Sequence, residues 1–192
     1  ADQEAWRKAV TPKTKALFIE TIGNPKIDVP DVAKLADIAH ANQAPLIVDN
    51  TLASPWLFRP LEHGADIVVH STTKYLNGHG SAVGGVVIDS GRFEWPLDKY
   101  ADFKTFKDRK GKLAFLDKVW REIHINVGTS QAPFHSFLTL IGLDTLALRM
   151  ERHQSNAIKL AEFLGSHPAV KWVNFPGLAK SPAHAVAKVQ FN

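Results

Sequence analysis

The chain has 192 residues, of which 45% are hydrophobic and 22% are charged, a composition typical of globular proteins. It contains no cysteine, which excludes disulfides, thiolate catalysis and cysteine-ligated metal sites within it. No run of about 20 apolar residues occurs, and the polar first residues lack the apolar segment of a signal peptide. We therefore expect one sizeable core, no membrane contact and a cytoplasmic location.

The formal net charge of +4 arises from 23 basic and 19 acidic residues that are interspersed along the chain. Basic residues concentrate only at residues 104–112, where five of them surround Asp108. No nucleic-acid-binding motif accompanies this segment, and a solvated loop explains it better. No nucleic acid partner is predicted.

Short apolar runs alternate with helical patterns in the first half of the chain. The runs predict strands at residues 16–20, 45–48, 66–70 and 83–88. Helices are expected over residues 30–42 and, more briefly, 57–62. Strands joined by helices favour a largely parallel sheet, whose ligand site lies beyond the carboxyl ends of the strands. Glu20, Asp49 and residues 71–74 occupy such ends.

The second half of the chain is less regular. Residues 95–112 show no clear period and are interpreted as a surface excursion. Helical periodicity extends from residue 137 to about residue 164, and Gly142 allows two helices in place of one. Residues 170–173 predict a further strand.

Residues 66–80 carry the most chemical information: Asp-Ile-Val-Val-His-Ser-Thr-Thr-Lys-Tyr-Leu-Asn-Gly-His-Gly. Lys74 follows the hydroxyl residues Ser71 and Thr73 at the end of a predicted strand. Seen alone, Lys74 would be a surface charge. The two hydroxyl groups would be turn residues that bond their own backbone.

Two other kinds of site are not supported by the motifs. The glycine-rich residues 78–85 lack the Gly-Lys-Ser/Thr ending of a P-loop, and they do not open a helix as a dinucleotide fingerprint does. His63, His70 and His79 do not have the spacing of a known metal-ligand motif. No metal site is predicted.

Residues 66–80 resemble, position by position, the lysine signature of the Cys/Met-metabolism, or transsulfuration, family of enzymes dependent on pyridoxal 5′-phosphate (PLP). The matching positions are Asp66, Ser71, Thr73, Lys74, Gly78 and His79. This resemblance implies an α/β protein of PLP fold type I, like aspartate aminotransferase, with a mostly parallel sheet flanked by helices and a small α+β C-terminal domain. It also implies that the Lys74 amine binds the PLP aldehyde covalently.

The resemblance extends to further cofactor contacts. Ser71 and Thr73 match residues that bind the phosphate. Asp49 matches an aspartate that pairs with the pyridine nitrogen and keeps it protonated, although alone it would be read as a helix cap or turn acceptor. Asn24 matches an asparagine near the phenolic oxygen, although Gly-Asn-Pro favours a turn in any context.

The family pattern also implies how the chain is divided. Residues 1–135 are expected to be part of the PLP-binding large domain, and residues 136–192 a connecting helix and the beginning of the C-terminal domain. Family members are considerably longer at both ends, so residues that stack on the cofactor or bind the substrate carboxylate are not assigned. Arg149 and Arg152 are interpreted as surface or interdomain charges.

The segment between Gly91 and Trp120 is longer than expected for cystathionine synthases and lyases. In this length it resembles the O-acetylhomoserine sulfhydrylase branch of the family. This branch implies an amino-acid substrate with sulfide or a thiol, and a homotetramer of dimers that share active sites. Methionine γ-lyase and cystathionine γ-synthase or lyase reactions remain open. An alternative of another class is a non-catalytic folded fragment that needs further segments to act.

Overall fold

A computed structural model describes residues 2–191. Its centre is a sheet of four strands, which are Leu17–Glu20 (β1), Leu46–Asp49 (β2), Ile67–Ser71 (β3) and Gly85–Asp89 (β4). The spatial order is β1-β2-β3-β4, with the first three strands parallel and β4 antiparallel to β3. The prediction of a mostly parallel sheet is confirmed.

Helices and short turns surround this sheet. The α-helices are Gln3–Ala9 (α1), Val32–Ala41 (α2), Ser54–Leu57 (α3), Lys104–Lys110 (α4), Ala114–Lys118 (α5), Ile125–Val127 (α6), Pro133–Asp144 (α7), Leu146–Ser166 (α8) and His184–Gln190 (α9). Turns of 3-10 type lie at Pro60–His63, Ala101–Phe103 and Gly111–Leu113, and wider π-type turns at Thr72–Leu76 and Val119–His124. Within residues 2–191, none of these helices has the length and apolar character to cross a membrane.

The first core lies between α2 and one face of the sheet. Helix α2 begins where the Asp31 carboxylate accepts a hydrogen bond from the Lys34 N–H at 3.2 Å. Its buried side chains and the inward-facing strand side chains form one cluster, which includes Val32, Leu35, Ala36, Ile38, Ala39, Leu17, Ile19, Leu46, Val48 and Val68. This packing holds β1, β2 and β3 side by side.

The second core lies on the other face, and it is built from the segment that was expected to be a surface excursion. Its buried residues are Ile67, Phe93, Trp95, Tyr100, Phe103, Phe106 and Ala114. The Trp95 and Phe103 rings stack with their centroids 4.2 Å apart. The surface interpretation was therefore wrong, because the segment forms several short helical turns and its buried aromatic side chains, which follow no single period, pack with Ile67 of β3. The basic residues of this segment lie largely on helix α4 and not on a loop.

Two further expectations need correction, and one alternative is decided. The predicted helix at residues 57–62 is divided between α3 and the turn Pro60–His63. The long periodic stretch is two helices, α7 and α8, which meet at Thr145. Residues 170–173 form no strand. A strand needs a hydrogen-bonded neighbour, and within residues 2–191 the sheet offers none to this segment.

His70 on β3 is a buried titratable group, with 5% of its surface exposed. Burial lowers its pKa from the ordinary value of 6.5, although the Asp49 carboxylate and a backbone hydrogen bond at Asn50 oppose this shift. A lowered pKa means that the folded protein binds a proton at His70 less readily than the unfolded chain does. The contribution of this group to stability is therefore present above pH 6.5 and is lost as the pH falls towards the folded pKa.

We expect Phe103→Ala to lower the free energy of unfolding by about 3–5 kcal/mol, because it removes a stacked ring from the second core. The matched control is Phe134→Ala, since the Phe134 side chain is 65% exposed. The control should change the free energy by no more than about 0.5 kcal/mol in urea unfolding followed by circular dichroism. Equal effects of the two substitutions would contradict the presence of a second core.

The wild-type protein should lose stability between pH 7 and pH 5 more steeply than His70→Gln, because only the wild type takes up a proton at this buried ring on unfolding. Urea unfolding midpoints over this pH range measure the difference. His167→Gln, at an exposed ring, should keep the wild-type slope. A His70→Gln slope equal to that of the wild type would show that His70 does not contribute.

Candidate active site

A cavity of about 690 Å³ opens at the carboxyl ends of β1, β2 and β3. It is lined by Glu20, Ile22, Asn24, Asp49, Thr51, Leu52, Ser71, Lys74, Tyr75, Gly78, Gly80, Arg149 and His153. Parallel strands point their carboxyl ends to one edge of a sheet, which is where ligands of such folds bind. Four of the five predicted cofactor residues therefore line one cavity: Asn24, Asp49, Ser71 and Lys74.

Lys74 is carried by the π-type turn that follows β3. Its backbone (φ −90°, ψ −124°) is not helical and interrupts the turn. Two hydrogen bonds close the turn around it, from the Gly78 N–H to the Lys74 carbonyl at 2.8 Å and from the Asn77 N–H to the Thr72 carbonyl at 3.0 Å. The Lys74 side chain is exposed, in contrast to the buried Thr72 and Asn77. The turn thus presents an accessible amine from an anchored backbone.

Thr51 connects Asp49 to the strand that carries Ser71. The Thr51 N–H donates to Asp49 Oδ1 at 2.9 Å. Its hydroxyl oxygen accepts a hydrogen bond from the Ser71 N–H at 2.8 Å. No role was predicted for Thr51. A hydroxyl residue two positions after a strand-end aspartate was the available signal, because such residues bond turn backbone.

Asn24 lies in the turn that follows β1 and lines the cavity. The Asn24 N–H donates to Glu20 Oε2 at 2.8 Å, and the Ile27 N–H donates to the Gly23 carbonyl at 2.7 Å. The Asn24–Pro25 peptide bond is cis. The Glu20 carboxylate therefore holds the backbone of Asn24, the predicted cofactor contact. Glu20 itself had no predicted role.

Thr73 is placed differently from the other predicted residues. Its hydroxyl donates to the Gly84 carbonyl at 3.2 Å and accepts from the Gly84 N–H at 3.0 Å. It is not among the residues that line the cavity. In this arrangement Thr73 joins the turn that carries Lys74 (Thr72–Leu76, the lysine turn) to the beginning of β4. A phosphate contact by Thr73 stays a prediction.

Helix α8 adds residues that the sequence analysis did not place at the site. Arg149 is partly buried, and its guanidinium donates to the Tyr75 carbonyl at 2.9 Å. His153, one turn later on the same face of α8, has its ring centroid 5.4 Å from that of Tyr75. The interpretation of Arg149 as a surface or interdomain charge was therefore incomplete. Only the folded chain brings it to Tyr75, because the two residues are 74 positions apart in the sequence.

The cavity carries both signs of charge. The cations are Lys74 and Arg149, and the anions are Glu20 and Asp49. Such a lining suits a ligand that has an anionic group and a protonated ring nitrogen, because each charge can be met by an opposite charge.

The chain matches known proteins over its whole length. The profile of the Cys/Met metabolism PLP-dependent enzymes matches residues 1–192. An O-acetyl-L-homoserine sulfhydrylase from Leptospira meyeri is 43% identical over 98% of the chain and 46% of its own length. A cystathionine beta-lyase from Coxiella burnetii is 44% identical over 98% of the chain and 43% of its own length. The chain thus spans less than half the length of these two relatives.

Two solved structures are similar throughout the chain. The O-acetylhomoserine sulfhydrylase of Wolinella succinogenes superimposes with a TM-score of 0.90 and 42% identity, over 100% of this chain and 55% of that one. A putative O-acetylhomoserine (thiol)-lyase from Campylobacter jejuni, solved with an N′-pyridoxyl-lysine-5′-monophosphate residue, has a TM-score of 0.88 and 38% identity over 100% of this chain and 49% of its own. With the family profile matched from end to end, the chain belongs to the Cys/Met-metabolism family of PLP-dependent enzymes.

Proposed function

We propose that Lys74 binds PLP covalently and that the complete protein uses it to replace the acetate of O-acetylhomoserine with sulfide. The observation that carries the proposal is the convergence of Lys74, Asp49 and Ser71 on one cavity. These residues fit PLP, since they supply an amine for the aldehyde, a carboxylate for the ring nitrogen and a hydroxyl for the phosphate. The named sulfhydrylases among the relatives support the choice of reaction.

The residues of the cavity have different tasks in this proposal. When bound, PLP withdraws electrons from the substrate carbon atoms next to the amine. Asp49 holds a proton at the ring nitrogen, and the Thr51 N–H keeps its carboxylate in place at 2.9 Å. The Ser71 hydroxyl would donate a hydrogen bond to the phosphate. Lys74 would hold PLP through its amine and would move protons at the substrate carbons.

The overall reaction exchanges one leaving group, acetate, for one entering group, sulfide. The bond between the γ-carbon of O-acetylhomoserine and its ester oxygen breaks, and acetate leaves with the electron pair. Sulfide adds to the same carbon, which gives homocysteine. The site therefore has to admit a second, small nucleophile after acetate has gone.

We also propose the division of the chain near residue 135, which is close to the beginning of α7. An assembly of several copies is supported by apolar side chains that remain exposed on the sheet and on α7, such as Phe18 (55% exposed) and Phe137 (55%). A homotetramer of active-site-sharing dimers stays a prediction. So does the alternative that residues 1–192 need further segments to act, which the exposure of Lys74 favours.

Reduction of the protein with borohydride in the presence of PLP should add the pyridoxyl label to Lys74, because this amine faces the proposed cofactor cavity. Peptide mapping by mass spectrometry locates the label. Lys74→Arg should abolish it, whereas Lys112→Arg, at an exposed lysine outside the cavity, should leave it unchanged. A label on any other lysine would refute the site assignment.

A substrate panel on the complete protein tests the reaction itself. We expect kcat/KM for O-acetylhomoserine with sulfide to exceed the values for methionine, cystathionine and O-succinylhomoserine by about tenfold or more, equal to about 1.4 kcal/mol of transition-state discrimination. Homocysteine and acetate are quantified by chromatography. Faster elimination from methionine would assign the protein to the γ-lyase branch, and faster cleavage of cystathionine to the cystathionine lyases.

A further inference from the structure

Arg149 connects the lysine turn to the junction between α7 and α8. Its Nη1 donates to the Tyr75 carbonyl at 2.9 Å, and its Nη2 donates to the Gly142 carbonyl at 2.7 Å. Its Nε donates to the Thr145 hydroxyl at 3.1 Å. A guanidinium is planar and holds its donors in a fixed fork, so these three bonds define the distance between the two segments.

The packing around this guanidinium leaves no spare room. A Cβ atom at Gly78 would lie 2.3 Å from Arg149 Nη1. A Cβ atom at Gly142 would lie 2.1 Å from the Asn77 carbonyl oxygen, which belongs to rigid backbone. Gly142 is therefore needed for α7 to approach the lysine turn this closely, and Gly78, with φ +72°, leaves the space that the guanidinium occupies. In a contact so tight, a shift of the helix pair has to shift the turn as well.

The hydrogen bonds of Arg149 argue against a role in substrate binding alone. Its three mapped partners are carbonyl or hydroxyl oxygens, and within residues 2–191 no carboxylate lies within ion-pair distance of it. Main-chain carbonyls are acceptors that fix backbone position. The group therefore holds neighbouring backbone, whereas a pure substrate-binding arginine would keep its fork directed to the ligand.

We propose that Arg149 is a positioning residue for Lys74. By holding the Tyr75 carbonyl to the α7–α8 junction, it fixes the backbone from which the Lys74 amine reaches into the cavity. The proposal rests on the proposed PLP site for its effect on catalysis. The effect of Arg149 on the backbone of the lysine turn is independent of any cofactor.

The experiment uses the complete protein with Arg149→Gln, Arg149→Lys and the control Arg152→Gln, which removes an exposed arginine from the next turn of α8. Hydrogen exchange is first measured on the cofactor-free protein. The Gly78 amide, which bonds to the Lys74 carbonyl at 2.8 Å, should exchange at least about tenfold faster in Arg149→Gln. Amides of β1 and β2 should keep their protection, and Arg152→Gln should behave as the wild type.

Steady-state kinetics on the loaded enzyme provide the second measurement. Arg149→Gln should lower kcat by about 100-fold, the loss expected when a reacting group is displaced by about 1 Å, while KM changes by less than about threefold. Arg149→Lys should recover part of kcat, since a lysine amine can still donate to the Tyr75 carbonyl. A rise in KM with kcat unchanged would overturn the proposal and indicate binding of the substrate carboxylate.

Two further outcomes decide the proposal if Arg149→Gln does not fold. Thr145→Val keeps the arginine but removes the acceptor of its Nε bond, and it should accelerate Gly78 exchange by a smaller factor. If Thr145→Val leaves Gly78 exchange at the wild-type rate, the positioning role is refuted. A wild-type protein that binds no PLP at Lys74 would refute the proposed function and leave the exchange result standing.

Discussion

The common edge at which β1, β2 and β3 end is the constraint on which the rest of the site depends. Hydrogen-bond register pairs Glu20 with Asp49, and Asp49 with Val69. The residues that follow these positions must therefore meet beyond one edge of the sheet. A slip of one residue would turn Asp49 into the α2 core, because successive side chains of a strand point to opposite faces. The burial of neighbouring apolar side chains thus fixes the direction in which Asp49 points.

Two cores on opposite faces maintain that register. Between them, the buried Asp66 carboxylate accepts hydrogen bonds from the Leu46 N–H and from His40 Nε2, both at 2.8 Å. Asp66 is the first residue of the lysine signature, yet it lies at the end of β3 that is remote from Lys74. Its contacts hold β2 and α2 to the beginning of β3. One motif therefore contains both a residue that holds the sheet together and the residue proposed to react.

The lysine turn is held from three directions. Thr73 bonds the Gly84 backbone, Thr51 bonds the Ser71 N–H, and Arg149 reaches the turn from α8. Each contact involves backbone, which limits where the Lys74 amine can move. An amine that must release one partner, accept another and transfer protons benefits from such a fixed starting point, because small displacements of a reacting group are costly in rate.

Local sequence was sufficient to predict much of this protein. The strands before Glu20, Asp49 and Ser71 followed from short apolar runs, and α2 followed from helical spacing and the Asp31 cap. Short motifs of a few residues each predicted four cofactor contacts that line the cavity: Asn24, Asp49, Ser71 and Lys74. These features depend on residues that are close in the sequence, so the sequence pattern is sufficient to predict them.

Contacts between distant segments decided the remainder. The aromatic residues around Trp95 show no period, yet they form a core because the sheet offers them an apolar face. Residues 170–173 have the composition of a strand, but they lack a strand to pair with. Arg149 reads as a charge on a helix surface until α8 lies against the lysine turn. A sequence pattern reports the local preferences of a segment, whereas these roles depend on which distant segment packs against it, and only the folded chain determines that.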